Sequence, residues 1–267
     1  LLVSGVIAQV SAQVCTPAPV GLVSWYSGDG NALDSRSRNN GSLQNGATFA
    51  AGQVGQGFSF DGVDDQISIP HNANQNVGSN LTIEAWIKPT SLIHGQTILQ
   101  KRSASNIGGY VFEPTQTPAG AVNGLALVIM IGGVYQTLNP ANVLTAGVWQ
   151  HVAATYDGAF MRIYVSGVQV GSQAQTGAID AVSDPVVIGR NVVASVPFGG
   201  GIDEVGLYSR TLSATEIQAI FNAGTAGKCK PTATAAPSGQ VAWFAGDGNA
   251  NDSSGNGNNG PLGSTTV

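Results

Sequence analysis

Charge is what this 267-residue sequence has least of. Asp, Glu, Lys and Arg together make up 9% of it, against about 25% in an average soluble domain. Its ten basic residues are scattered, so no patch is dense enough to hold a phosphate backbone, and nucleic acid is excluded as a partner. Long apolar runs are also missing. Leu125 to Ile131 (LALVIMI) stops at Gly132-Gly133, far short of the eighteen or so residues of a membrane span, and reads as a buried strand. No membrane insertion is expected.

Glutamate is nearly absent. Glu84, Glu113, Glu204 and Glu216 are the four in the chain, and none forms a closely spaced triplet of two Glu flanking an Asp. Glycoside hydrolysis needs two carboxyl groups on either side of the scissile bond. Asp203 and Glu204 are neighbours, so strand alternation points them to opposite faces. Histidine is limited to His71, His94 and His151. Isolated as they are, they make neither a zinc site nor a catalytic triad. A non-catalytic domain is expected.

Cysteine is down to Cys15 and Cys229, which open the similar phrases CTP and CKP on either side of the main body. A secreted sandwich often has adjacent termini, which favours a disulfide between them; two free thiols, or pairing elsewhere, are the alternatives. The secretory context comes from the start of the chain. Leu1 to Val10 is apolar, and Val10-Ser11-Ala12 places small residues where signal peptidase accepts them. Residues 1–12 read as a clipped signal peptide, or otherwise as a first strand.

What the sequence does have is glycine, turns and short β-type runs. Runs rich in Val, Ile, Phe, Tyr and Trp recur between Leu22 and Tyr208, broken by Gly, Asn and Pro. That pattern indicates an all-β sandwich or barrel. One helix is expected at the end. Ser213 and Glu216 are spaced as a capping box, Ile217, Ile220 and Phe221 share a face, and Gly224 can end the helix. We place it across one end of the sandwich. Trp25, Trp86 and Trp149 lie among apolar strand neighbours and read as core packing.

The sequence also repeats. GLVSWYSGDGNALDS at Gly21 to Ser35 returns as GQVAWFAGDGNANDS at Gly239 to Ser253, identical at ten of fifteen positions. The spacing is that of a whole domain. The organisation read from this is a domain over 13–229, a Pro/Thr/Ala linker over 230–238, and the start of a second copy over 239–267.

The order of phrases carries a resemblance. GLVSWYSGDGNALDS is followed by FSFDGVDDQISIP, LTIEAWIKP, WQHVAATYDG with MRIYVSGVQVG, and GGGIDEVGLYSRTLSATEIQAIF. Together they resemble the laminin-G-like jelly-roll family of the concanavalin A-like lectin/glucanase superfamily, over roughly Gly21 to Gly224. The resemblance implies a jelly roll of two antiparallel sheets with one short C-terminal helix, in a secreted or cell-surface protein. It does not fix a ligand. It also implies a calcium ion (Ca2+) held between the early Asx-rich loop and the last strand, with Asp34 and Asn39 matched to Asp203 and Glu204. Oxygen-rich loops suit calcium, and they also form turns without any ion. Arg36 and Arg38, in the same loop, would weaken a cation site if they pointed inward.

The functional expectation is a carbohydrate-binding or adhesion module whose partner is a polysaccharide or glycan, or another surface protein. Tyr110, Tyr135 and Asn191 lie outside the expected core phrases and are the candidate ligand-binding residues. The alternatives are a structural spacer or surface-assembly domain, or an accessory domain of a larger secreted glycosidase or peptidase.

Overall fold

A computed structural model describes residues 14–92, 94–103, 108–116 and 122–230. The expected signal peptide (1–12), all of the expected linker after Lys230, and the second copy (239–267) lie outside the described residues.

The strands are β1 (Leu22–Tyr26), β2 (Ser42–Gln44), β3 (Thr48–Ala51), β4 (Gln56–Asp61), β5 (Gln66–Ile69), β6 (Leu81–Pro89), β7 (Leu99–Arg102), β8 (Gly109–Gln116), β9 (Val122–Ile131), β10 (Val134–Leu138), β11 (Gln150–Tyr156), β12 (Phe160–Val165), β13 (Val168–Ala174), β14 (Val186–Ile188), β15 (Arg190–Asn191), β16 (Val196–Pro197) and β17 (Gly199–Tyr208). They form two large sheets and one ribbon. The first sheet runs β13-β12-β11-β6-β17-β4-β3, with β1 also paired to β17. The second runs β10-β9-β8-β7-β14-β5-β2, and β15 pairs with β16. The pairs within both sheets are antiparallel. This is the expected all-β jelly-roll sandwich.

Alternation explains which side chains meet between the sheets. On β6, Leu81, Ile83, Ala85 and Ile87 point inward; on β8 and β9, Tyr110, Phe112, Leu125, Leu127 and Ile129 point back at them. Burying each large apolar side chain contributes about 1.5–3 kcal/mol. The strand connections follow turn chemistry. Between β12 and β13, Ser166 and Gly167 both take positive φ (50° and 78°), the geometry of a two-residue turn matched to the twist of a hairpin.

Helix α1 (Ala214–Asn222) carries the expected capping box at Ser213 and Glu216, and Gly224 beyond it takes φ 51°. Its position differs from expectation. Rather than lying across an end, it covers the outer face of the first sheet, where Ile217 and Ile220 join Ala153, Tyr164, Tyr208 and Leu212 in a second apolar cluster. Phe221 packs on Trp86, ring centroids 5.8 Å apart. The first sheet is therefore buried on both faces under the helix. Trp25 and Trp86 fill the outer layer, not the space between sheets.

Cys15 and Cys229 are disulfide-bonded, their Cα atoms 4.9 Å apart across 214 residues. Thr16 and Lys228 pair beside them as an isolated bridge, so the entry and exit of the domain are clasped together. No helix among the described residues is long and apolar enough to cross a membrane.

Candidate functional site

The solvent-facing side of the second sheet carries a cleft of about 360 Å³. Its floor is Ala126 and Val128 of β9, which face away from the core because their neighbours Leu125, Leu127 and Ile129 face into it. Its rim is polar: Arg102 from β7, Glu113 and Thr115 from β8, Tyr135 from β10, and Asn191 from β15. His94 closes one side.

A set of side-chain contacts holds the rim. One Arg102 guanidinium nitrogen donates to the Tyr135 hydroxyl at 2.7 Å, and the guanidinium carbon lies 5.5 Å from the ring centre. Tyr135 thus stays 44% exposed yet fixed in place. Asn191 accepts the backbone N–H groups of Val193 and Ala194 at 3.1 and 2.9 Å. Its amide donates toward a Glu113 oxygen at 3.4 Å, as does the Thr97 hydroxyl. Burial pushes the Glu113 carboxyl above its usual range, against the opposing pull of His94, Arg102 and these two hydrogen bonds. The cleft therefore offers an aromatic face, cationic and amide donors and one carboxyl acceptor. Among the described residues, Glu113 is the one carboxylate that lines it.

Two of the three residues expected to bind a ligand meet here, Tyr135 and Asn191. Tyr110 does not. It is 2% exposed, packs in the core, and donates its hydroxyl to the Gln75 carbonyl at 3.0 Å. The reason is register: Tyr110 shares its face of β8 with Phe112, and that face is the inner one. Sequence reading misses Arg102 and Glu113 as ligand-binding residues: each stands one residue beyond a run that reads as a strand (Gln96 to Lys101 and Tyr110 to Phe112), and Glu113 is weighed there only as a catalytic carboxylate. A polar residue directly after an apolar run was the available signal.

The four residues expected to hold calcium are arranged differently. Asp34 is 2% exposed, and both its oxygens are engaged: they accept the backbone N–H groups of Trp25, Arg36, Arg38 and Asn39 at 2.9–3.2 Å. It shapes the loop. Asn39 and Asp203 each keep one buried oxygen without a hydrogen-bond donor. Asp203 accepts from the Val54 N–H at 2.9 Å; burial, with the charge of Glu204 beside it, pushes its carboxyl up to about 7. Among the described residues, the acidic groups that converge within 4.8 Å are instead Asp61, Asp64 and Asp65, at the end of β4 and in the turn that leads to β5.

Strand alternation also fails at Glu204. It is the extra residue of a β-bulge between Asp203 and Gly206, with φ at 57°, a conformation that bulges accommodate. Its carboxylate therefore lies on the outer side with Glu84, and Lys228 stands between them. The Lys228 ammonium is 2.8 Å from Glu84, 3.3 Å from the Glu204 carboxylate and 2.9 Å from the Glu204 carbonyl. It also sits over the Trp25 ring at 5.0 Å. Trp25 donates its indole N–H to Glu204 at 3.1 Å, and His151 pairs with Glu84 at 3.2 Å. Burial alone would raise the Glu84 carboxyl, but Lys228 and His151 outweigh it and hold Glu84 below its usual range. Side chains in this network are 0–2% exposed, so it is closed to substrate.

Comparison with known proteins agrees with the jelly-roll fold. The family model described as the concanavalin A-like lectin/glucanases superfamily, laminin-G-like branch, matches residues 61–218. The chain belongs to this superfamily. No curated protein matches it. Among solved structures, it is similar to domain 4 of AbnA, an extracellular arabinanase from Geobacillus stearothermophilus solved in complex with arabinotriose. That match has a TM-score of 0.61 and 18% identity, covering 74% of this chain and 96% of that one. It is also similar to the binding domain of Paraclostridial Mosquitocidal Protein 1 (TM-score 0.59, 16% identity, 75% of this chain) and spans 52% of that domain. A botulinum neurotoxin type C structure, from work on cell entry dependent on two ganglioside molecules, matches with TM-score 0.58 and 15% identity, covering 76% and 51% of the two chains. At these identities the likeness is one of fold.

Proposed function

We propose that this superfamily member is a non-catalytic saccharide-binding module of a secreted or cell-surface protein, and that the Tyr135 cleft is its binding site. The observation that carries the reading is the fixed, half-exposed Tyr135 ring beside buried Asn191 and Glu113. Saccharide rings present an apolar C–H face to stack on an aromatic and hydroxyls to meet amides and carboxylates. A single carboxylate in the cleft suits recognition. Retaining hydrolysis would need a second about 5 Å away, and the paired Glu84 and Glu204 are sealed under Lys228 and the helix. The disulfide supports an oxidising compartment, and the likeness to a domain of an extracellular arabinanase supports a polysaccharide partner. The clasped termini also suit a spacer in a tandem array, a role compatible with binding. For calcium, we propose Asn39 and Asp203 as the residues able to supply oxygens, with Asp34 shaping the loop that carries Asn39.

A glycan array with the purified chain tests binding, and a reducing-sugar assay on arabinan, xylan and β-glucan tests silence. Retention of at least one glycan class without release of reducing ends is the expected result. Turnover lost on Glu113→Gln would replace this reading with a catalytic one.

A further inference from the structure

A second aromatic cleft lies on the opposite sheet. Trp149 precedes β11 by one residue. Continuing the β11–β6 register past Gln150 and Ile87 sets Trp149 opposite Lys88. Lys88 pairs with Gly201, Gly201 with Ser59, and Ser59 with Thr48. The adjacent row, Ile87, Ile202 and Phe58, belongs to the core, so the row ending in Trp149 faces outward. Contrary to the sequence reading, Trp149 is only partly buried.

The indole reaches across the sheet because Gly201 carries no side chain: a Cβ there would stand 2.6 Å from Trp149 Cη2. Ala50, Ala51 and Ser59 leave room beside the indole, Phe58 and Pro89 also line the cleft, and it measures about 210 Å³. Lys88 and Thr90, both exposed, stand at its rim.

We propose that this cleft is a second saccharide site, in which the C–H face of one uncharged sugar ring stacks on Trp149 while Lys88 and Ser59 bond its hydroxyls. An isolated indole beside an ammonium and hydroxyls matches a ring that is apolar on its face and polar at its edge. A wholly apolar ligand would strip water from Lys88, Ser59 and Thr90 without replacing those hydrogen bonds. The cleft lies on the face of the sheet; the free backbone groups of its edge strand β3 lie in the plane of the sheet, not in the cleft, so an added peptide strand would pair beside the cleft rather than fill it. It shares a ligand class with the Tyr135 cleft but no residue, so either site can fail alone. Two sites on opposite faces would let one domain bridge two polysaccharide strands.

The test titrates the full chain with arabinotriose, cellotriose and xylotriose, following tryptophan fluorescence and calorimetric stoichiometry. Trp25 and Trp86 are 1% and 5% exposed and the fourth tryptophan, Trp243, lies in the second copy, so the part of a ligand-induced change that vanishes in Trp149→Phe is the part that reports this cleft. The expected result is two bound ligands per chain for at least one sugar. Trp149→Ala should weaken one class roughly tenfold, as for loss of an aromatic contact of about 1.4 kcal/mol. Lys88→Ala, at an exposed position that leaves the fold alone, should weaken the same class, and Tyr135→Ala should remove only the other. A single site that Tyr135→Ala abolishes and that Trp149→Ala and Lys88→Ala leave intact would overturn the proposal while sparing the first cleft. So would the absence of any Trp149-dependent signal across the three sugars.

Discussion

The Lys228 ammonium stands 2.8 Å from the Glu84 carboxylate with both side chains wholly buried. One belongs to the last residues of the domain and the other to the middle of its central strand β6. A pair so deep returns little net stability over an apolar replacement, yet breaking it from one side strands a buried charge. Lys228→Met should therefore destabilise the domain by about 3–5 kcal/mol. The double change Lys228→Met with Glu84→Gln should recover part of that loss. Chemical denaturation measures both, and strict additivity would show that the two residues are not coupled.

Lys228 is delivered to this position by its neighbour Cys229. Closing a loop of 214 residues stabilises by about 5 kcal/mol in the chain-entropy treatment. Replacing both cysteines with serine should lower the denaturation midpoint by a comparable free energy. It should also expose Lys228 to amine-reactive reagents that spare it in the oxidised protein. Equal labelling of the two forms would mean the clasp does not hold Lys228 in place.

Asp34 gives a test of what its loop is for. With its oxygens on four backbone N–H groups, Asp34→Ala should cost the same stability in EDTA as in millimolar calcium. A loss seen only with calcium present would return Asp34 to the role of ligand. Asp203→Asn is the variant expected to reduce any calcium-dependent rise in melting temperature, because Asp203 is the carboxylate of the two residues with an oxygen left without a donor.

The helix cap sets a pH dependence. The hydrogen bonds from Arg210, then those within the cap at Ser213, hold Glu216 down at about 2. A carboxylate with a depressed folded value adds stability above its unfolded value, near 4, and loses it as pH falls toward 2. Both partners are about a third exposed, so solvent screening keeps the effect small. Ser213→Ala should cost about 1 kcal/mol at pH 7. Glu216→Gln should flatten the wild-type decline between pH 4 and 2; an unchanged slope would assign that decline to other carboxylates.

Much of the fold was legible because it follows from local rules. Alternation marks Val152, Ala154, Ile163 and Val165 as inward, and all four are in the core; the spacing of Ser213 and Glu216 announced the helix. The misses arise where a rule is broken or where distance in sequence hides a contact. The bulge at Glu204 moved a carboxylate to the outer side, which alternation cannot foresee. Tyr110 looked available because nothing local tells the inner face of β8 from the outer. Trp149 looked like core because its exposure depends on Gly201, fifty-two positions away. Arg102, Glu113, Tyr135 and Asn191 come from four strands that only the sheet order brings together. Lys228 gave no signal at all, since a lone lysine before a cysteine reads as surface.

The central claim is that Tyr135, Asn191 and Glu113 bind a saccharide, and titration calorimetry tests it most directly. The full chain and its Tyr135→Ala and Glu113→Gln variants would be titrated with the best-retained glycan from the array. Saturable binding in the parent chain is predicted, weakened roughly tenfold by Tyr135→Ala, as expected for loss of a stacking ring, and also weakened by Glu113→Gln, with both variants folded by circular dichroism. Binding of equal strength in all three proteins would contradict the account and place the saccharide elsewhere on the molecule.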